Sequence, residues 1–219
     1  MDRMAERVLI WGGSGHGKVV ADVVRARGAT VVGFVDADPM KLGQVVEPGG
    51  GCVVLAQDEF LERVRAGALP EAVALAIGRN PTRLACLHAL VGVAVPAFAH
   101  PGAIVSDSAE LGRGTIVFAR AVINAAARIG EAVIVNTGAI VEHDCVVGDG
   151  AHVSPGAVLT GGVSVGERSW IGAGATVIPE VRIGKDVIVG AGAVVLHDVG
   201  DGATVAGVPA RIIRQANQS

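Results

Sequence analysis

The chain has 219 residues, a formal charge of -3 at pH 7, 51% hydrophobic residues, 3% aromatics, no tyrosine and 32 glycines. That length allows one large domain or two small ones with real cores, and the near-neutral balance gives no reason to expect nucleic acid or an anionic membrane as partner. An apolar fraction supplied by Val, Ala, Ile and Leu points to a repetitive core.

The opening "MDRMAER" is charged and is followed by only five apolar or aromatic positions, too short for a signal peptide or a membrane span, so a cytoplasmic location is expected. "RVLIW" (7–11) and "TVVGFV" (30–35) predict buried parallel strands, and "KVVADVVRA" between them sets Val20, Val23 and Val24 at helical spacing. "DEFLERVRAG" predicts a second helix, "EAVALAI" a third strand, "PTRLACLHALVG" a third helix opened by Pro81, and "VAVPAF" a last short strand. This alternation is that of a small Rossmann-like α/β sheet with a ligand site at the carboxyl ends of its strands.

"GGSGHGK" (12–18) joins the first strand to the first helix, where glycine-rich backbone and a helix N-terminus attract phosphate. It almost makes two signatures: Val19 stands where a P-loop needs Ser or Thr, and Lys18 where the dinucleotide fingerprint needs its third glycine. It therefore predicts a cradle for a substrate phosphate, with Ser14, Gly15 and His16 nearest to it. Asp36, ending the second strand, is placed to accept a ribose hydroxyl. Cys52, Cys86 and Cys145 are odd in number and widely spaced among aliphatics, as expected of reduced core thiols.

From about residue 99 the period changes. Every sixth residue from Val105 to Val195 is Val, Leu or Ile, sixteen in succession, and four places after them stand small or modest side chains such as Ala121, Ala139 and Ala157. Glycine recurs every eighteen residues, at 112, 130, 148, 166 and 184. A six-residue period within an eighteen-residue one means three short strands per coil, stacked as a triangular β-helix. At one inter-strand spacing per coil, five coils stand about 25 Å tall.

The repeat, together with "GGSGHGK", "VDAD", "AIGRN", "HPGA", "NTGAIVEHDCVVGDGAHVSPGA" and "GVPA", resembles the left-handed β-helix acyltransferases. More narrowly, the chain resembles bacterial nucleotide-sugar N-acetyltransferases and sialic-acid O-acetyltransferases. The resemblance implies that residues 1–98 hold the acceptor sugar nucleotide and that 99–219 bind acetyl-CoA as co-substrate, without a metal, between the subunits of a homotrimer. It also assigns Gly78 of "AIGRN" to substrate binding. Apolar prism faces and a mean hydropathy of +0.53 give a trimer an independent motive.

Acetyl transfer from a thioester needs a base for the nucleophile and donors for the oxyanion. His143 in "VEHDC" interrupts an otherwise aliphatic repeat and is the candidate base. By the resemblance His143 is the general base and Asp144 the residue that polarises it. Neighbouring side chains of a strand face opposite ways, so Asp144 can reach His143 only at a corner; Glu142 is its competitor. His152 lies nine residues on, half a coil, and the resemblance places it on acetyl-CoA near the thioester. Ala173 and Ala191, in the small-residue runs "IGAGATV" and "VGAGAVV", are acetyl-CoA contacts by the same resemblance. His88 and His197 read as structural or exposed and His100 as a hinge contact.

Transfer to the amine of a UDP- or GDP-linked 4-amino-4,6-dideoxy sugar is the function expected. The alternative is O-acetylation of sialic acid, which lacks the diphosphate that the glycine turn suits. A trimeric zinc enzyme of the carbonic anhydrase type is more remote, since no two of His143, His152 and His197 sit within five residues. A pure binding module would need no base.

Overall fold

The computed structural model describes residues 6–46, 53–68 and 70–215. Cys52 lies outside them, while Cys86 and Cys145 are free and buried.

The first unit is a four-stranded parallel sheet of β1 (Arg7–Trp11), β2 (Thr30–Asp36), β3 (Val53–Ala56) and β4 (Ala72–Leu75), in the order β3-β2-β1-β4. Its helices are α1 (Gly15–Ala26), α2 (Gln57–Arg65) and α3 (Asn80–Ala89). Each lays an apolar stripe on the sheet: Val20, Ala21, Val23 and Val24 from α1, Phe60 and Val64 from α2, and Leu84, Cys86 and Leu87 from α3. The order reverses beside β1, so the turn after β1 opens at the crevice where such sheets bind ligands. β3 is a four-residue edge strand that the sequence pattern did not announce. The expected last strand "VAVPAF" does not join this sheet. Pro96 lacks a ladder donor, residues 93–97 are irregular, and Phe98–Ala99 instead pairs with Ile116–Val117 in the second unit.

From Phe98 onward, two-residue strands recur every six residues up to Val194–Val195 and form three parallel faces, which, with Thr204–Ala206 and Arg211–Arg214 added to the first, have eight, six and five strands. The register between coils is eighteen residues, as in Ile134 opposite His152 and His152 opposite Trp170. The strand Arg211–Arg214 closes the eight-stranded face by antiparallel pairing. The sixth-position aliphatics from Val117 to Val195 are buried together with the small residues four places later, Cys145 and Val163 among them. Two inward side chains per hexad thus fill the prism, and aromatics have no room there.

Each corner turns on one residue in the left-handed region. From Gly114 to Gly192 every sixth residue has φ between 50° and 71°, and seven of these are not glycine, among them Arg120, Ala126, Ala132, Asp144 and Arg168. The left-handed conformation costs an L-residue roughly 1–2 kcal/mol. Exposed Ala126→Gly is therefore expected to stabilise the chain by about 0.5–1 kcal/mol, net of the greater freedom of an unfolded glycine, in chemical denaturation. Unchanged or lowered stability would contradict that reading of the corners.

The first unit docks on the eight-stranded face. The outward column of that face runs Phe98, Ile116, Ile134, His152, Trp170, Ile188. Its first three members are buried in one cluster with Val8, Ile10, Val20 and Phe34 of the first unit, while Trp170 and Ile188 are 48% and 46% exposed. His152 therefore stands at the rim where the docked interface ends.

A single arginine fastens this contact. Arg83 of α3 is 0% exposed and donates to Ala132 O (2.7 Å), Ile77 O (2.9 Å), Gly78 O (3.1 Å), Asn80 Oδ1 (2.9 Å), Gly150 O (2.8 Å) and Ala151 O (3.1 Å). Its partners belong to the loop after β4, to the start of α3, and to two successive coils. Asn80 adds bonds to Arg168 O and Ser169 O of a third coil. Burial lowers the guanidinium pKa to about 9, so it stays charged at neutral pH with neutral acceptors around it.

Candidate active site

The glycine turn is held open by its neighbours. Gly12 N–H donates to Val35 O (2.8 Å) and Gly13 N–H to Asp36 Oδ2 (2.8 Å). A Cβ on Gly17 would collide with the carbonyl oxygen of Gly12, so α1 can begin this close to β1 only with glycine there. Ser14 occupies the N-cap without a side-chain cap bond, and the first turn of α1 carries no acidic residue. The orphan N–H groups of that turn and the positive end of the helix are left for an anion.

Asp36 does more structural work than the sequence suggested. Its Oδ2 accepts from Gly13 N–H and Lys41 Nζ (3.0 Å), and its Oδ1 from Asp38 N–H (3.0 Å). Burial works to raise its pKa, but these donors and the Lys41 charge outweigh it and hold the carboxyl below its usual range. One acceptor position on Oδ1 remains for a ligand hydroxyl. The turn, Asp36, Lys41, Gln57, Gly78 and Thr82 line a cleft of about 230 Å³.

His16 projects from this turn toward the β-helix, its ring centroid 5.4 Å from that of Phe118. Its Nε2 is buried with no hydrogen-bond partner among the described residues. Burial and the charge of Arg83 push its pKa down to about 4. His152 shares that environment: burial first, then Arg83 and His16, bring it to about 3. The His152 ring lies parallel to the Trp170 indole (5.7 Å between centroids, 6°), and Asn136 Nδ2 lies 3.0 Å from its Nε2.

His143 and Asp144 stand elsewhere. They form the vertex between the six- and five-stranded faces, opposite the face that carries the first unit and His152. Asp144 is one of the left-handed corner residues (φ 59°), and this bend brings its Oδ2 to 2.8 Å from His143 Nδ1. The required corner is present. Glu142 turns away and accepts from Asn124 Nδ2 (2.8 Å). The hydrogen bond to the Asp144 carboxylate is the largest influence on His143 and raises its pKa; both side chains are more than half exposed. The next coil offers Gly161 beside the ring, where a Cβ would lie 2.7 Å from Nε2.

One chain thus unites Ser14, His16, Asp36 and Gly78 around a single cleft, with Gly15 between the first two in the turn and His152 nearby, but it does not bring His143 and Asp144 to them. Ala173 and Ala191 are exposed at the third vertex, between the eight- and six-stranded faces, and are joined by Gly192 N–H to Ala173 O (2.8 Å). His100 only closes its own turn, its Nδ1 accepting from Gly102 N–H (2.8 Å). Lys41, Arg83, Asn136 and Trp170 were not singled out from the sequence. Trp170 could have been found by adding eighteen to His152; Lys41 and Arg83 gave no pattern. Among the described residues no group of three or more His, Cys, Asp and Glu side chains could hold a metal ion, and no helix is long and apolar enough to cross a membrane.

Residues 7–90 match the PglD N-terminal domain family, and residues 126–161 and 162–197 match the bacterial transferase hexapeptide (six repeats) family. No curated protein matched. Among solved structures, the chain is 44% identical to PerB from Caulobacter crescentus in complex with CoA and GDP-perosamine, with a TM-score of 0.86 over 95% of this chain and 97% of that one. It is 36% identical to the acetyltransferase domain of PglB from Neisseria gonorrhoeae in complex with acetyl coenzyme A, with a TM-score of 0.86 over 95% of this chain and 100% of that one. WeeI from Acinetobacter baumannii is 28% identical, with a TM-score of 0.72. A PglD N-terminal domain docked on a hexapeptide β-helix, at this identity and coverage, places the chain in the family of acetyl-CoA-dependent nucleotide-sugar N-acetyltransferases.

Proposed function

We propose that the chain moves the acetyl group of acetyl-CoA to the amine of a UDP- or GDP-linked 4-amino-4,6-dideoxy sugar, in the cytoplasm, within sites shared between the subunits of a homotrimer. The observation that carries this reading is the His143 Nδ1 to Asp144 Oδ2 contact at an exposed vertex, which orients the imidazole and leaves Nε2 free as a base. Residues 1–98 grip the diphosphate on the N–H groups after Ser14, with Gly15, His16, Asp36 and Gly78 around it. The PerB structure holding GDP-perosamine supports a GDP-linked acceptor as the first to try.

The amine nitrogen attacks the thioester carbonyl carbon while His143 Nε2 takes the proton that the nitrogen sheds. The tetrahedral oxyanion then collapses, the C–S bond breaks, and the proton passes from His143 to the departing sulfur, giving the N-acetyl sugar and free CoA. His152 contacts the thioester end of acetyl-CoA, and the pantetheine arm follows the vertex past Ala173 and Ala191.

His143 and the sugar-nucleotide cleft lie on opposite sides of one prism, so a neighbouring copy must supply the base. Exposed Val146, Trp170 and Ile188 on two faces favour association. A thiol-release assay with acetyl-CoA and UDP-, GDP- and dTDP-linked 4-amino sugars or free sialic acid tests the reaction; no release with any nucleotide-linked amino sugar would sink it. Light scattering tests the assembly, and a clean 22 kDa monomer would contradict a shared site.

A further inference from the structure

Asn136 and His152 stand on neighbouring coils of the eight-stranded face, at the rim of the docked first unit. Asn136 has both ends of its amide committed: Oδ1 accepts from Thr137 N–H (2.8 Å), and Nδ2 lies 3.0 Å from His152 Nε2. Turning the amide over would set its NH₂ against the Thr137 N–H, donor against donor. Nδ2 carries only donors, so His152 Nε2 must accept, and a neutral imidazole that accepts at Nε2 carries its one proton on Nδ1. Among the described residues nothing bonds to Nδ1.

The ring cannot easily turn out of this contact. Trp170 lies parallel to it from the next coil, and the indole is itself fixed by Nε1–H donating to Ser154 Oγ (2.7 Å). Ile134 is its register partner on the coil before. Burial, the Arg83 guanidinium and His16 all disfavour a second proton on the ring.

We propose that Asn136 is a positioning residue that holds neutral His152 as its Nδ1–H tautomer, so that the ring offers a hydrogen-bond donor to the acetyl thioester. This rests on the reading that His152 meets the thioester end of acetyl-CoA. A donor stabilises the negative charge that gathers on the carbonyl oxygen as the amine attacks, whereas an imidazole lone pair aimed at that oxygen would oppose it.

Two-bond proton–nitrogen correlation spectra of the full chain with ¹⁵N-labelled histidine, His152 being identified by its loss in His152→Gln, read the tautomer directly. At neutral pH the expected pattern is a protonated Nδ1 and a bare Nε2; a protonated Nε2 overturns the proposal, whether or not Asn136→Asp folds. Asn136→Asp replaces the donor by an acceptor of the same shape and should move the proton to Nε2. With the tautomer reversed, kcat should fall on the order of 100-fold, with KM for the sugar nucleotide within about 3-fold of wild type. A reversed tautomer with kcat unchanged would overturn the catalytic half of the proposal. A wild-type chain that gives the Nδ1–H spectrum yet acetylates no nucleotide-linked amino sugar would overturn the reaction and not the tautomer.

Discussion

His143→Ala is expected to lower kcat by roughly 100-fold or more while the chain stays folded, the usual scale for removing a general base. The ring is exposed at a corner and fills no part of the core, so circular dichroism and the unfolding midpoint should not move. Activity near wild type would place the base elsewhere. The pH profile gives a second reading of the same residue. Asp144 raises the imidazole above its ordinary 6.5, and a base works only when deprotonated, so the acid limb of kcat should lie above 6.5. Asp144→Asn removes the carboxylate and should carry that limb to lower pH with a smaller loss of kcat. A limb that stays put would separate Asp144 from the titration.

Arg83→Met is expected to be far more damaging to the fold. It removes the arginine donor from six acceptors in the loop after β4, in α3 and on two coils; those at Ala132, Asn80, Gly150 and Ala151 are buried, and of these four Ala151 O keeps the N–H of Ile134. Breaking such a buried charged network costs about 3–5 kcal/mol. The loss should appear as a lower unfolding midpoint and as faster proteolysis of the first unit, ahead of the β-helix. Arg83→Lys keeps the charge but offers three donors from one point in place of a planar fork, and should fall between the two. Replacing a buried charge by an apolar side chain is neutral in some proteins, so Arg83→Met as stable as wild type would show that apolar contact alone holds the two units together.

The β-helix was legible because its rule is local and repeated: an inward aliphatic each sixth residue and a small one four places on fix strand, face and register together. The His143–Asp144 corner was legible for the same reason, since the six-residue phase says where the chain must bend. The glycine turn led to the expectation of a phosphate site, which is proposed above, but gave no sign that Asp36 would be spent holding Gly13 and Lys41. Arg83 was hidden because nothing in "PTRLACLHALVG" separates an arginine that faces solvent from one buried between two units. The docking itself is a contact between distant segments, and the outward column Phe98, Ile116, Ile134 looks like any other set of aliphatics until a partner covers it. The edge strand β3 and the loss of "VAVPAF" from the sheet were short-range ambiguities that tertiary packing decided.

The eighteen-residue register carries one more consequence. Every height along the prism, from the arginine bolt at Ala132 and Gly150 to His152 and on to Ala173 and Ala191, is counted in whole coils of about 4.8 Å. Within the repeat, adding or removing eighteen residues changes the height by that quantum and keeps every face; six or twelve would keep the aliphatics inward but carry the outward side chains to another face, and a number that is not a multiple of six would turn the aliphatics outward. The fold therefore sets distances along the prism in integers, and finer adjustment is left to outward side chains such as Trp170 and Asn136.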